Sequence, residues 1–176
     1  SSSIYGDTKI YPFVEKDTQN VPVSVYGATK LSNEIIASSY SKNFNMKTIG
    51  LRFFTVYGPY GRPDMAYYSF LDDLKKNKKI KVFNKGNMLR DFTYIDDVVT
   101  GITSLINLNM KKNHDVINIG KGKPDQLMKL IKLIEVNYQK KFKIEYTKNI
   151  PNGDIKKTFS NVNKAKKLIK WRPKVN

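Results

Sequence analysis

A tyrosine and a lysine four residues apart could together carry out proton transfer. On a helix, Tyr26 and Lys30 would lie on the same face, one turn apart. A free tyrosine has a pKa of roughly 10, and lowering it by ~3 units takes about 4 kcal/mol of differential stabilisation of the phenolate. The ammonium group of Lys30 could supply part of that stabilisation, so the pair predicts a general acid/base. Because the chain holds 11 tyrosines and many lysines, this spacing alone also fits two unrelated surface residues.

The composition leaves few other groups for catalysis. The chain of 176 residues has no cysteine and a single histidine, His114. Without cysteine there is no disulfide framework and no thiolate metal site, and one histidine forms neither a metal-binding cluster nor a Ser-His-Asp triad. We therefore expect chemistry that uses no metal ion.

The formal net charge of +17 raises the question of nucleic-acid binding. Lysines dominate the basic residues and occur as scattered pairs, which usually lie on solvated helix faces and loops. We therefore expect no nucleic-acid partner. Arginine is the better bidentate partner for carboxylate and phosphate, so its few positions carry more information. The four arginines are Arg52, Arg62, Arg90 and Arg172.

No stretch of the sequence is typical of a membrane span or a signal peptide. No run approaches roughly 18 apolar residues, and residues 1–6 (SSSIYG) have neither a basic start nor an apolar core. The sequence therefore predicts a cytoplasmic protein without a membrane partner.

Short β-rich runs alternate with helical periodicity, which predicts an α/β fold. The expected helices are residues 25–44, 65–76, one from 96, one from 124, and 161–169. The expected strands are residues 47–54, 79–83, 90–95, 116–120 and 142–146. The elements shorten after the turn-forming residues 57–63, which is typical of a smaller second lobe.

Seven ordered segments carry a resemblance to a known family. They are residues 1–6 (SSSIYG), 26–30 (YGATK), 52–59 (RFFTVYGP), 90–97 (RDFTYIDD), 118–120 (NIG), 153–154 (GD) and 163–165 (NKA). In order and spacing they resemble the catalytic half of the extended short-chain dehydrogenase/reductase family, in its branch of NAD-dependent epimerases and dehydratases. The resemblance covers essentially the whole chain.

This resemblance implies the C-terminal part of a Rossmann-type parallel sheet with a smaller α/β substrate-binding lobe. Residues 1–58 would be the C-terminal part of the NAD-binding domain, and residues 59–176 the nucleotide-sugar lobe. The family meets the pyrophosphate of NAD with a glycine-rich loop in a region that would precede Ser1. The resemblance therefore predicts that the chain is a fragment.

The resemblance also implies roles around the reacting sugar. Tyr26 would be the acid/base. Lys30 would bind the nicotinamide ribose of NAD and bias Tyr26 toward the phenolate, and Ser1 would orient the reacting hydroxyl group. Phe54 and Thr55 would lie beside the nicotinamide and the sugar.

Other matched positions imply contacts with the nucleotide. Arg90 corresponds to the residue that clamps the diphosphate, a task suited to a fixed guanidinium fork. Val82 and Phe83 would flank the uracil, and Asp154 would touch the ribose.

The position of Ser3 bears on the type of reaction. Members of the family share one opening step, in which hydride leaves C4 of the sugar for NAD⁺ while the tyrosine removes the hydroxyl proton. UDP-glucuronate decarboxylases have a Glu at the position of Ser3, and related dehydratases have an acidic pair nearby. A hydroxyl group cannot deprotonate C5, so neutral donors would instead hold a substrate carboxylate.

Residues 61–65 (GRPDM) are typical of UDP-glucuronate 4-epimerases, and Arg62 would be a cationic partner for the uronate carboxylate or the phosphates. The resemblance thus favours epimerisation of a UDP-sugar at C4 through a 4-keto intermediate, from UDP-glucuronate to UDP-galacturonate. It implies recycled NAD and a homodimer at full length. A UDP-glucose 4-epimerase, a UDP-glucuronate decarboxylase, and an inactive fragment or non-catalytic interaction module remain open alternatives.

Overall fold

The computed structural model describes residues 1–17 and 21–175 as a mixed α/β structure. The helices are α1 (Val25–Asn43), α2 (Ala66–Lys75), α3 (Ile95–Ile106), α4 (Leu127–Tyr138) and α5 (Asn163–Ile169). The strands are β1 (Thr48–Phe53), β2 (Thr55–Tyr57), β3 (Lys79–Val82), β4 (Leu89–Arg90), β5 (Phe92–Tyr94), β6 (His114–Ile119), β7 (Asp125–Gln126) and β8 (Lys143–Tyr146). The predicted alternation of strands and helices is confirmed.

Helix α1 begins with a side-chain cap. The Ser24 Oγ accepts a hydrogen bond from the backbone N–H of Gly27 at 3.0 Å, which satisfies one of the free donors of the first turn. Tyr26 and Lys30 follow in the first two turns, and the ammonium Nζ lies 5.2 Å from the centre of the tyrosine ring. The predicted shared helix face is confirmed.

Parallel strand pairs dominate the described part of the chain. The pairs β1–β6, β2–β5 and β3–β8 are parallel, and β4–β7 is antiparallel. Strand β6 lies beyond residue 59 in the sequence, yet it pairs with β1 along its full length. The chain therefore returns to its first sheet, and the division into residues 1–58 and 59–176 stays a prediction.

Three apolar clusters form the interior. The first packs α2 and α4 against β3 and β8, with Phe70, Ile80 and Ile131 among its buried residues. The second covers β1 and β6 with α3, α5 and Trp171. The third joins the turn at Ser2–Tyr5 to Phe13 and Phe54. The first and third clusters include Phe70 and Phe54, which also line the cavities of the candidate active site.

Two of the predicted elements are wrong at their boundaries. Residues 90–95 are not one strand, because Asp91 turns its side chain into the interior and separates β4 from β5. The helix expected from residue 124 begins at Leu127, because Asp125 pairs with Arg90 in the β4–β7 ladder. Both differences depend on contacts between segments that are distant in sequence.

Among the helices of residues 1–17 and 21–175, none combines the length and the apolar character needed to cross a membrane.

Candidate active site

Most of the predicted site residues line one of two adjoining cavities. The larger has a volume of about 570 Å³ and the smaller about 400 Å³. Thr55, Met65 and Tyr67 line both cavities, so the two form one continuous cleft. Ser1 and Tyr26 line the smaller cavity, whereas Phe83, Arg90 and Asp154 line the larger one. The cleft thus joins the predicted proton-transfer residues to the predicted nucleotide-binding residues.

A close approach of two backbones places Tyr26 beside the serines. A Cβ atom added to Gly27 would lie 2.7 Å from the carbonyl oxygen of Ser3, so the glycine permits α1 to approach the first turn. The Ser1 and Ser3 hydroxyl groups lie 2.9 Å apart, and the Ser3 backbone N–H donates to the Ser1 Oγ. Ser1 lines the smaller cavity, and Ser3 supports it from outside the lining.

Phe54 lines the smaller cavity, and the next residue, Thr55, lines both cavities. Phe54 is buried against Phe13 and the first turn, yet part of it reaches the smaller cavity. The Thr55 backbone N–H donates to the Asp91 carbonyl oxygen at 3.0 Å, which fixes the start of β2. Thr55 therefore occupies a defined position between the two ends of the cleft.

The Arg62 guanidinium is engaged by a neighbouring carboxylate. Its Nε and Nη2 donate to the two oxygens of Asp64 at 3.1 and 2.9 Å, and both side chains are about two-thirds exposed (68% and 66%). Arg62 lines the smaller cavity, and Asp64 lines the larger one. A ligand carboxylate or phosphate that binds Arg62 must therefore compete with Asp64.

Arg90 is held more tightly. Its side chain is 15% exposed, and its guanidinium donates to the carbonyl oxygens of Leu89 and Lys156 and to the Asp154 carboxylate, the last at 2.7 Å. Burial lowers the pKa of Arg90, and the Asp154 carboxylate opposes that shift. Because the guanidinium stays charged at any physiological pH, it is a fixed cation on the wall of the larger cavity.

The structure separates the two residues predicted to flank uracil. Phe83 lines the larger cavity, whereas Val82 is fully buried in the core between β3 and α4. The Val82 carbonyl oxygen accepts a hydrogen bond from the Thr147 N–H, so its backbone is also engaged. Of the two, Phe83 is the residue that a base in this cavity would contact.

Sequence reasoning missed several residues that line the cleft. Tyr67 lines both cavities and donates its hydroxyl group to the Val56 carbonyl oxygen at 3.2 Å. Lys79 and Lys81 line the larger cavity. The alternation of lysines with apolar residues in β3 could have placed both lysines on one face. For Tyr67 the sequence offers no comparable signal.

A network of buried hydrogen bonds connects the elements that carry Ser1 and Tyr26. The Arg52 guanidinium, 1% exposed, donates to both oxygens of Glu34 on α1 (3.0 and 2.8 Å) and to the Tyr5 hydroxyl oxygen (2.9 Å). Burial raises the pKa of Tyr5 to about 12, and its hydroxyl group donates to the Asn118 side-chain oxygen on β6. Arg52 thereby joins α1, the first turn and the sheet.

Residues 1–120 match the family model described as the NAD dependent epimerase/dehydratase family. The chain belongs to this family. The family is NAD-dependent, which agrees with the cofactor implied by the sequence.

Relatives in the family share the sequence over the whole chain. An uncharacterized protein from Methanocaldococcus jannaschii is 46% identical over 99% of the chain, and a UDP-glucuronate 4-epimerase from Thermodesulfobacterium geofontis is 39% identical over 100%. The chain covers 53% of each of these two proteins. It therefore spans about half the length of the relatives that it matches.

A crystal structure confirms the fold class. The UDP-glucuronic acid 4-epimerase from Bacillus cereus, in complex with UDP-glucuronic acid and NAD, superimposes with a TM-score of 0.88 at 36% identity. The match covers 100% of this chain and 55% of the other. The predicted part of a Rossmann-type α/β fold is thus confirmed.

Proposed function

We propose that this chain supplies the acid/base and substrate-binding residues of an NAD-dependent epimerase that converts UDP-glucuronate to UDP-galacturonate. The observation that carries the proposal is the continuous cleft, in which Tyr26 and Ser1 lie at one end and Arg90 at the other. A nucleotide sugar needs both ends at once, because its sugar reacts while its diphosphate is held. The similarity to UDP-glucuronate 4-epimerases supports the choice of sugar.

The residues of the smaller cavity fit one end of NAD. Phe54 offers an apolar surface there. Lys30 lines neither cavity but lies beside the Tyr26 ring, and it forms no ion pair with any residue in 1–17 or 21–175, so its ammonium group can donate to ribose hydroxyl groups. Tyr26, Lys30 and Phe54 would hold the nicotinamide end. When bound, NAD supplies the acceptor and donor of hydride.

Tyr26 is the proton acceptor in this proposal. Its side chain lines the smaller cavity, and the Lys30 ammonium lies 5.2 Å from the centre of its ring. Ser1 donates a hydrogen bond to the reacting hydroxyl oxygen and so holds it toward Tyr26. Proton transfer in this geometry belongs to general acid–base catalysis, which contributes about 10²–10⁴-fold.

Neutral and cationic groups surround the place proposed for the uronate carboxylate. Ser1 and Thr55 contribute hydroxyl groups to the smaller cavity, Arg62 contributes a cation, and the Ser3 hydroxyl group contacts Ser1 from outside the lining. No carboxylate lines the smaller cavity among the described residues, so this cavity offers no acidic side chain to remove the C5 proton. This arrangement favours epimerisation over elimination.

The larger cavity is the proposed site of the UDP group. Arg90 would bind the diphosphate, Phe83 would pack on the uracil, and Asp154 would accept a hydrogen bond from the ribose. A homodimer at full length remains part of the proposal. The exposed apolar side chains of Ile35 and Ile36 on α1, and of Phe44 directly after it, support it, and sedimentation analysis would check it.

Product analysis tests the proposed reaction directly. The full-length protein is incubated with NAD and UDP-glucuronate, and the nucleotide sugars are separated and assigned by NMR. UDP-galacturonate is expected, without loss of carbon dioxide. A UDP-pentose would instead identify a decarboxylase, and conversion restricted to UDP-glucose would identify a UDP-glucose 4-epimerase. No conversion of either sugar would support an inactive or non-catalytic protein.

A further inference from the structure

Asp91 lies between two residues that line the larger cavity but does not face it. Arg90 and Phe92 line the cavity, whereas the Asp91 side chain is fully buried on the opposite side of the backbone. A buried carboxylate is costly unless hydrogen bonds replace its lost hydration. The contacts of Asp91 therefore show what its position is used for.

Donors from three segments surround the Asp91 carboxylate. The backbone N–H groups of Lys121 and Gly122 donate to Oδ1 and Oδ2 at 2.7 and 3.1 Å. The Ser160 backbone N–H and hydroxyl group donate to Oδ2 at 2.9 and 2.5 Å. The Thr93 hydroxyl group adds a longer contact with Oδ1 at 3.4 Å. Burial raises the pKa of this carboxyl group, and the hydrogen bonds from Ser160 and from the turn oppose the rise.

Gly120 and Gly122, which follow β6, allow the backbone to pack closely around this carboxylate. Gly122 has a φ of +73°, which favours glycine and directs its N–H toward Asp91. A Cβ atom on Gly120 would lie only 2.3 Å from the Ser160 Oγ. The sequence of this turn suggests a plain connection between strand and helix, but the structure shows a binding loop for an internal anion.

Ser160 ends a segment that also reaches Arg90. We call residues 154–160 the strap. Its Thr158 accepts a hydrogen bond from the Asp91 N–H through its side chain and donates its own N–H to the Leu89 carbonyl oxygen. At the other end of the strap, the Asp154 carboxylate and the Lys156 carbonyl oxygen accept hydrogen bonds from the Arg90 guanidinium.

We propose that Asp91 is a positioning residue, which anchors the strap and thereby fixes the Arg90 guanidinium for the diphosphate of the substrate. The proposal rests on the proposed function only in assigning that diphosphate to Arg90. An arginine that is already oriented loses less conformational freedom when it binds phosphate, so its hydrogen bonds contribute more to affinity. If the strap is loosened, Arg90 keeps its charge but loses its orientation.

The test compares two nucleotides that differ by one phosphate. Dissociation constants for UDP and UMP are measured by calorimetry on the full-length protein and on Asp91→Asn, which keeps the shape but turns an amide donor toward the N–H donors. We expect UDP affinity to fall by about tenfold, the scale of a lost charge-assisted hydrogen bond, and UMP affinity to change by less than about threefold. The preference for UDP over UMP therefore falls.

Two further variants separate positioning from a general loss of stability. Asp97 is another buried carboxylate, which accepts N–H groups from Lys174 and Val175 and lines neither cavity. Asp97→Asn should lower the unfolding temperature without changing the UDP preference. In an Arg90→Ala background, Asp91→Asn should cause no further loss of that preference, because the group that it positions is absent.

Each outcome of these measurements supports or refutes the positioning role of Asp91. An equal loss of UDP and UMP affinity in Asp91→Asn, or the same change in Asp97→Asn, would overturn the proposal. If Asp91→Asn does not fold, Ser160→Ala removes only the hydroxyl donor and should reduce the UDP preference by about threefold; an unchanged preference would overturn the proposal as well. A wild-type protein that does not prefer UDP would refute the role of Arg90, and that of Asp91 with it. Failure to epimerise UDP-glucuronate, with the Asp91 effect retained, would refute only the proposed reaction.

Discussion

The two ends of the cleft are built in different ways. At the smaller cavity, the Tyr26 side chain is about half exposed (53%), and Lys30 lies beside its ring with no ion pair among the described residues. At the larger cavity, the Arg90 guanidinium is mostly buried and has three acceptors. We call the end with Tyr26 the open end and the end with Arg90 the fixed end.

This difference suits the proposed reaction. Epimerisation requires the sugar to present first one face and then the other, so the sugar end of the site must leave room for rotation. The diphosphate must meanwhile stay bound, which a preoriented guanidinium achieves at low entropic cost. The comparison therefore predicts that substitutions at the open end change turnover, whereas substitutions at the fixed end change nucleotide affinity.

The largest effect is expected for Tyr26→Phe. The substitution removes the proton-transfer group and keeps the ring, so turnover should fall by about 10²–10⁴-fold while the dissociation constant for UDP stays within about twofold. Steady-state kinetics and calorimetry on the full-length protein measure the two quantities.

Tyr40 provides a matched control on the same helix. It is exposed to nearly the same extent (55%) and lies outside both cavities, so Tyr40→Phe should leave turnover unchanged. Normal turnover in Tyr26→Phe would remove this residue from the mechanism. A large loss of UDP affinity would instead show that the two ends are not separate.

An intermediate effect is expected at Arg62, which lies at the open end but can bind an anion. Arg62→Lys keeps the charge and loses the bidentate fork, so it should raise KM for UDP-glucuronate by a fewfold more than KM for UDP-glucose. Asp64→Asn removes the competing carboxylate and should lower KM for UDP-glucuronate. Because both side chains are exposed, each effect should stay below about tenfold.

Arg172 serves as the control for this prediction. It is exposed and lines neither cavity, so Arg172→Lys should change neither KM. If Arg62→Lys raises KM equally for the two sugars, Arg62 binds the diphosphate rather than the uronate carboxylate. The open end would then contain a diphosphate-binding residue, as the fixed end does.

The open end could be predicted from the sequence because it depends on local spacing. Tyr26 and Lys30 are one helical turn apart, and a capping serine precedes them, so the motif itself determines their relative position. The order of helices and strands follows from similar local signals. The family resemblance then assigned Ser1 and Arg90 to one site, which the shared cleft supports.

The fixed end could not be predicted in the same way, because its contacts cross 64 to 69 residues of sequence. Asp91 has no periodicity that marks it as buried, and the glycines at 120 and 122 only indicate a turn. Tertiary packing, which overrides the local sequence pattern, determines the pairing of β4 with β7 and the position of the strap beside β4. Val82 is a different case, because the alternation of lysines and apolar residues in β3 is a local signal that places its side chain on the face opposite Lys79 and Lys81.

The smallest effect is expected for an ion pair that supports the fixed end. Asp125 contacts Lys121 and Lys129, and its side chain is largely buried. Burial alone would raise the pKa of Asp125, but the hydrogen bonds and charges of the two lysines outweigh it and lower the pKa. A depressed pKa stabilises the folded protein above the unfolded carboxyl pKa of roughly 3.9, and this stabilisation is lost as the pH falls through the folded value. Asp125→Asn should therefore reduce the free energy of unfolding by about 1 kcal/mol at pH 7 and pH 5, and the difference should shrink below about pH 4.

Urea-induced unfolding of the unchanged protein and of Asp125→Asn at these pH values measures the difference. Asp64→Asn is the control at the exposed ion pair, where almost no change is expected. A difference that persists unchanged at pH 3 would show that Asp125 acts through packing or its backbone pairing with Arg90 rather than through its charge.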